Sequence, residues 1–243
     1  MKKNAYIEMY ENEITHSWYI ATRNLMIDFL KKYLKKDAKI LDAGCGTGGT
    51  IIYLKKAGFK NVTGIDNSKE ALKYCKKRRL NNVRYASVNV LPFKKDTFDA
   101  IICLDVLYHK GVKPQKSLLE FKRVLKPQGT LYLQEPAYNW IKSKHDKIIE
   151  TENRFTRVTF AKLVHSTDLK ILKVSYFNTI LSLPIFLKRF KDKFSLSKSK
   201  SSDVYHLPIV INQIMLLVMS LESNLVKNFY LPWGLSIICI ARK

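Results

Sequence analysis

Asp42-Ala-Gly44-Cys-Gly46-Thr-Gly48-Gly49 sets an acid at the head of a glycine-rich turn. The apolar run Lys39–Leu41 ahead of it reads as a buried strand, and Gly49–Ala57 after it reads as a helix. The glycines allow a tight turn and close approach of backbone to a ligand. Gly44-x-Gly46-x-x-Gly49 formally satisfies the dinucleotide fingerprint. A carboxylate ending the strand, however, suits a ligand that presents an ammonium group there and suits a pyrophosphate poorly. A second acid, Asp66, closes the β-type run Asn61-Val-Thr-Gly-Ile65. At the tip of a second strand an acid takes the hydroxyls of a ribose, or caps a following helix, here one from Lys69. A cofactor with an amine at one end and an adenosine ribose at the other is S-adenosylmethionine.

Four motifs stand in order: Asp42-Ala-Gly-Cys-Gly-Thr-Gly48, Gly64-Ile-Asp66, Leu91-Pro-Phe-Lys-Lys-Asp-Thr-Phe-Asp99 and Arg123-Val-Leu-Lys-Pro-Gln-Gly129. In these the chain resembles the class I S-adenosylmethionine-dependent methyltransferases over nearly its whole length. His16-Ser-Trp-Tyr19 with Arg23, Asp105-Val-Leu-Tyr-His109, Ser143-Lys-His-Asp146 and Arg154-Phe-Thr156 resemble a bacterial and archaeal branch often found beside envelope or glycan assembly genes. The chain departs from that branch at Tyr108, where an acid is usual, at Gln128, where a glycine is usual, and at Thr151, near a usual histidine.

The resemblance implies a cofactor site of Asp42, Gly44, Gly46, Gly48, Asp66, Asn67, Ser87, Val88 and Leu104. Asp42 would face the methionine ammonium, with the backbone of Gly44 and Gly46 along the methionine portion. Asp66 would hold the ribose, Ser87 with Val88 would border adenine, and the Leu104 carbonyl would meet the ammonium. Arg23 would meet the methionine carboxylate. Trp18 and Tyr19 would close over the cofactor or simply pack in the core. Trp18 and Tyr19, with Tyr108, Asp146 and Arg154, belong to the acceptor side, Arg154 either binding an acidic acceptor or pairing with Glu150 on a helical face.

Methyl transfer from a sulfonium is an in-line displacement that asks chiefly for alignment and exclusion of water. An oxygen or nitrogen acceptor also loses a proton, and His109 and His145 are the candidate bases. His109 follows the fourth strand, where a capping histidine is equally at home. His145 adjoins Asp146, and an acid beside an imidazole orients it and raises its pKa.

At 243 residues and 47% hydrophobic, the chain can bury one sizeable core. Cys45, Cys75, Cys103 and Cys239 form no CxxC pair, which disfavours a zinc site or a disulfide framework and fits a reducing cytoplasm. Met1-Lys-Lys-Asn-Ala-Tyr-Ile-Glu lacks the apolar core of a signal peptide, and no run of eighteen clean apolar residues predicts a spanning helix. The net charge of +23 fits a phosphate-bearing partner, whether nucleic acid, an anionic membrane or a phosphorylated lipid carrier. Only nine residues are arginine, the type favoured for bidentate phosphate or guanine contacts, and the lysines are spread along the chain.

Tyr6–Tyr33 reads as helix broken near His16. Strand-like runs Lys39–Leu41, Asn61–Ile65, Val83–Ala86, Phe98–Leu104 and Thr130–Gln134 alternate with helix-like Gly49–Ala57, Lys69–Leu80 and Pro114–Val124. That alternation predicts an α/β, Rossmann-like, mostly parallel sheet with helices on both faces. Helix Thr159–Ser166, strand Leu169–Phe177 and strand Leu235–Ala241 complete it, the resemblance implying seven strands with the last antiparallel. The expected division is a core of 1–178 and 233–243 with a helical cap, 179–232, inserted on the acceptor side. Leu207–Leu221 within it is apolar nearly throughout: a lid or dimer contact, or an interfacial helix with Lys188, Arg189, Lys191 and Lys193 at headgroup level.

The reading that follows is S-adenosylmethionine-dependent methyl transfer to a small-molecule or lipid-linked acceptor, glycan intermediates included, with no metal. Cytoplasmic location with peripheral contact to an anionic membrane is the matching expectation. An RNA or DNA methyltransferase is the first alternative, on the charge. Against it, the fourth strand ends in Leu104-Asp-Val-Leu-Tyr108 without the Asn/Asp-Pro-Pro-aromatic motif of base-amine methylation, and no RNA-binding module is visible. A non-catalytic partner subunit is the second alternative, and a nicotinamide oxidoreductase the least favoured.

Overall fold

In the computed structural model, residues 3–142, 146, 148–187 and 208–243 are described. Seven strands form one sheet: β1 Lys39–Ala43, β2 Asn61–Asp66, β3 Val83–Tyr85, β4 Phe98–Leu104, β5 Leu125–Pro136, β6 Lys170–Phe177 and β7 Ser236–Arg242. Their spatial order is β3-β2-β1-β4-β5-β7-β6. The first five pair in parallel, and β7 lies antiparallel between β5 and β6. This is the α/β, Rossmann-like arrangement that the alternating pattern predicts.

Strand order reverses between β1 and β4, and at such a switch point the loops beyond the carboxyl ends part to leave a crevice. Register brings the site's residues there, since Asp42 lies opposite Gly64 on one side and Ile102 on the other.

Helices α1 Lys3–Asn12, α2 Ser17–Tyr33, α3 Gly49–Lys56, α4 Lys69–Lys77, α5 Pro114–Val124, α6 Arg157–His165 and α7 Ile209–Asn228 surround the sheet. Their starts follow local chemistry. The His16 Nδ1 accepts from the Trp18 N–H at 3.2 Å, which explains the break before α2. Pro114 opens α5, and Thr156 and Thr159 exchange side-chain and backbone bonds around the first turn of α6.

Successive strand residues feed opposite layers. Leu41, Ile101, Leu131 and Leu133 pack with Leu118 and Phe121 of α5 and with Phe160 of α6. On the other face Ile40, Ile102, Tyr132 and Ile238 pack with Leu25, Met26 and Leu30 of α2 and with Met219 and Val226 of α7.

Two elements exceed their expected lengths. β5 begins at Leu125, not Thr130, because Phe98 pairs with Leu125 across a register shift. Turn-forming Pro127, Gln128 and Gly129 conceal that pairing in the sequence. Helix α7 runs to Asn228, seven residues past Leu221, and its polar last third hid the continuation. Glu222 in that third is buried, and its carboxylate accepts from the N–H groups of Thr179 (2.7 Å) and Ile180 (3.1 Å). At 20 residues and mean hydropathy 1.6, α7 is long and apolar enough to cross a membrane, contrary to the length inferred from sequence. Here it lies beside α2 in the same direction, with Asn212 bonded to Ser17 and Thr15 near one end and Lys227 paired with Asp28 near the other.

Candidate cofactor and acceptor site

The glycine loop is held from below by the sheet. The Gly44 and Cys45 N–H groups both donate to the Ile65 carbonyl, at 2.9 and 2.8 Å, and the Gly46 N–H donates to Asp66 Oδ2 at 2.9 Å. Gly44, Gly46 and Gly48 take φ of 85°, 53° and 90°, the left-handed region that costs other residues energy. A Cβ at Gly44 would collide with the Val106 side chain, and one at Gly46 would stand 2.9 Å from the Met9 sulfur.

Asp42, next to last in β1, has only 2% of its surface exposed. Its Oδ2 has no hydrogen-bond partner among the described residues. Burial pushes its pKa up to about 7; Arg23 draws it down, and Glu13 and Asp66 push it further up. A buried carboxylate in this condition lacks a cationic or hydrogen-donating partner. Asp66 differs. It is also buried and pushed up, but the N–H groups of Ser68, Gly46 and Asn67 pull it back. The cap of α4 is Ser68, whose hydroxyl accepts from Ala71 at 3.3 Å. Asp66 stands one step before, accepting from the Ser68 N–H at 2.8 Å, so its capping role is corrected to bracing the turn into α4.

Glu13, between α1 and α2, is the residue that sequence reasoning missed. Its carboxylate accepts from the Thr47 hydroxyl and from the Gly49 N–H (3.2 Å), and pairs with Arg23 and Arg78 at 2.5 Å each. It therefore fills the start of α3, where a dinucleotide pyrophosphate would sit. Arg23, expected to meet the methionine carboxylate, bonds Glu13 twice and donates through Nε to Thr50 at 3.2 Å. In this structure it clamps Glu13 against the loop. A polar residue in a connection between two helices gives the sequence reader no periodic signal, and only the fold brings Glu13, Arg23, Thr47 and Arg78 together.

Above the loop, the half-buried Trp18 and Tyr19 meet edge to face at 4.8 Å, and the Arg23 guanidinium lies 5.2 Å from the centre of the Tyr19 ring. Leu104 is half-buried at the end of β4, and Asp105 follows with φ 56°. Burial pushes Asp105 up to about 7 against a bond from Gln134 and the charge of Arg154. Glu135 accepts from the N–H groups of Val106, Leu107 and Tyr108 at 3.3, 2.8 and 3.1 Å, bracing the turn that carries Tyr108. Its own pKa is pushed well up by burial and by Asp105. Asp42, Asp105 and Glu135 make an acidic interior in a chain of net charge +23. Of the residues expected to border adenine, Val88 is buried and Ser87 accepts from the Asn89 N–H at 3.2 Å, and Asn67 after β2 is exposed.

His109 stacks on Tyr108 with ring centres 4.2 Å apart and bonds the Ile149 carbonyl through Nδ1 at 2.7 Å. Burial pushes its pKa down to about 4, which leaves the ring neutral at pH 7. The backbone of His109 bridges to Thr151, so Tyr108 and Thr151, two of the sequence's departures, are neighbours. Arg154 forms a two-pronged pair with buried Asp146, at 2.8 and 3.0 Å, and donates to the Ala137 carbonyl at 3.2 Å. The expected Glu150 partner is thereby corrected to Asp146. His145 lies outside the described residues. Among the described residues no group of His, Cys, Asp or Glu could hold a metal ion, and all four cysteines are buried free thiols.

Residues 41–133, which span this loop and its acids, match the family profile described as a methyltransferase domain. Residues 41–133 are a methyltransferase domain. A methyltransferase of Schizosaccharomyces pombe, itself uncharacterized, is 35% identical over 134 residues, covering 50% of this chain and 47% of its own length. An uncharacterized protein of Methanocaldococcus jannaschii is 33% identical over 162 residues, covering 65% and 66%. The chain thus spans about half to two thirds of the length of these relatives. The crystal structure of an S-adenosylmethionine-dependent methyltransferase from Archaeoglobus fulgidus superposes with a TM-score of 0.56 at 17% identity, covering 91% of this chain and 94% of that one. The methyltransferase fold accounts for the sheet order and for the loop at its switch point.

Proposed function

We propose that this chain binds S-adenosylmethionine at the carboxyl edge of β1, β2 and β4 and transfers its methyl group to a small-molecule or lipid-linked acceptor. One observation carries the cofactor reading: a buried Asp42 oxygen without a partner beside a left-handed glycine loop, while Glu13 fills the helix start that a pyrophosphate would need. The residues present fit the group. Asp42 offers its free oxygen to an ammonium, Asp66 lies at the ribose position, and Val88 offers an apolar wall for adenine. When bound, the cofactor supplies a methyl group activated by a positively charged sulfur. That positive charge would favour the ionised form of Asp42 and Asp105, whose pKa values burial otherwise holds at about 7.

On the acceptor side, Tyr108, His109 and the Arg154–Asp146 pair lie on adjoining segments after β4 and β5. The ring of His109, with Nδ1 donating to the Ile149 carbonyl, keeps a lone pair at Nε2 that can accept an acceptor hydrogen bond. A neutral His109 orients an acceptor better than it removes a proton. The insertion of this reading, 179–232, begins where β6 ends on the same sheet edge, and helix α7 is its described part.

Calorimetry tests the cofactor assignment. S-adenosylhomocysteine should bind far more tightly than NAD, and Asp66→Ala should weaken it about ten- to a hundredfold, through one or two lost hydrogen bonds to a charged group. Equal affinity in wild type and variant would remove Asp66 from the site. An RNA acceptor is the second reading, favoured by the +23 charge, and sequence-selective methylation of a transfer RNA at physiological salt would move it to first place.

A further inference from the structure

Helix α7 buries Met219, Glu222, Ser223 and Val226 against α2 and the sheet, and turns the opposite side to solvent. That outer side carries Val210, Ile214, Leu217, Leu221 and Leu225 at helical spacing, each about half or more exposed. The row ends in Phe229 and Tyr230, also exposed. An apolar row of this length on a soluble domain marks a contact surface.

Where the row ends, a cavity of about 530 Å³ begins, between α6 and the edge strand β6. Tyr230 belongs to both. Arg157, Lys162 and Lys173 line the cavity, and among the described residues no acid does. Lys173 Nζ stands 4.3 Å from the centre of the Tyr230 ring. The stretch 188–200, whose structure lies outside the described residues, contributes six further basic residues in sequence and a single acid, Asp192.

We propose that this flank docks on an anionic bilayer surface, with the outer row of α7 in the acyl boundary and the cations of the cavity on lipid phosphates. Charge selects this occupant over a second copy. Two copies meeting face to face would set like-charged cavities and two chains of +23 against each other, whereas anionic lipid supplies the opposite sign. An apolar helical face beside cations and aromatic rings is also the chemistry of an interfacial helix. The inference stands apart from the acceptor's identity.

Vesicle flotation of the full chain tests it. Wild type should float with vesicles containing phosphatidylglycerol and at least about tenfold less with pure phosphatidylcholine, because the cations contribute only against anionic lipid. Leu217→Gln with Leu221→Gln should lower the vesicle-bound fraction about tenfold by removing apolar insertion, with S-adenosylhomocysteine affinity unchanged as the folding control. Arg157→Gln with Lys173→Gln should erase the preference for phosphatidylglycerol. Light scattering on the same samples reads the other occupants. A wild-type dimer that the leucine variant splits would assign the face to a second copy. A monomeric wild type that floats with neither vesicle would show that the face does not dock on lipid. Either result overturns the proposal.

Discussion

Replacing Asp42 by asparagine should move stability and affinity in opposite directions, which separates a ligand-directed acid from a structural one. The Asp42 pKa rises from an ordinary 3.8 to about 7 in the folded chain, chiefly through burial. The folded state therefore holds this proton more tightly than the unfolded chain does. The resulting stability is fully present below about pH 4 and is lost as pH rises through about 7. The gap from 3.8 to about 7 corresponds to about 4 kcal/mol of destabilisation above pH 7, an upper figure because the pocket relaxes. Asp42→Asn removes the charge while keeping the shape. Melting without ligand should show a higher Tm for the variant at pH 8 and little gain at pH 5. Affinity should fall, since an ammonium loses a charged hydrogen bond worth about 1.5–3 kcal/mol, or about ten- to a hundredfold. The pH dependence should change as well. A cationic ligand pulls the Asp42 pKa down and releases a proton, so wild-type affinity for S-adenosylmethionine should climb from pH 5 to about 7 and then level off. The variant should keep only the part of that slope that Asp105 supplies, itself pushed up to about 7. A variant that loses stability equally at pH 5 and pH 8, with unchanged affinity, would refute the reasoning and make Asp42 a structural residue.

Other outcomes can be stated with their measurements. Glu13→Gln leaves the buried Arg23 and Arg78 guanidinium groups without their counter-ion, and should cost about 3–5 kcal/mol in denaturant melts, with cofactor affinity falling as the loop loosens. Because His109 is pushed down to about 4, turnover of an identified acceptor at saturating cofactor should show no histidine-like inflection between pH 6 and 7.5; an inflection lost in His109→Gln would reverse that assignment. RNA binding, where measurable in a filter assay, should fall at least about tenfold between about 50 and 200 mM salt, as dispersed lysines require; sequence-selective binding that resists salt would contradict it.

How far the site was legible in the sequence depends on whether its parts are local. Asp42, the glycines and Asp66 lie on a strand–turn–helix and at a strand tip, where residue type and spacing carry the geometry, and those residues do converge. The register of β1 with β2 and β4 is enough to bring them to one edge. Glu13, Glu135 and the Arg154–Asp146 pair were illegible as a site, for a shared reason. Each acts across the fold, on backbone N–H groups or cations from other elements, and no local pattern encodes such a partner. Arg23 was noticed without its Glu13 partner, because that partner comes from a connection without periodicity. Pattern reading failed on the length of α7 for the opposite reason: Glu222 looks like a solvent residue and is a buried cap.

The place of β7 has a consequence for synthesis. Among the described strands β6 pairs with β7 alone, and β7 also closes the free edge of β5. A nascent chain that has reached residue 177 thus holds two strands with no neighbour between them, and the whole of 178–235 must still be made before the missing one arrives. Unpaired strand edges are the sites at which incomplete chains stick to one another. The insertion accordingly sets a waiting time on the ribosome, and its length is a kinetic hazard as well as an architectural choice. Loss of Ser236–Arg242 would leave that gap in the sheet permanently open.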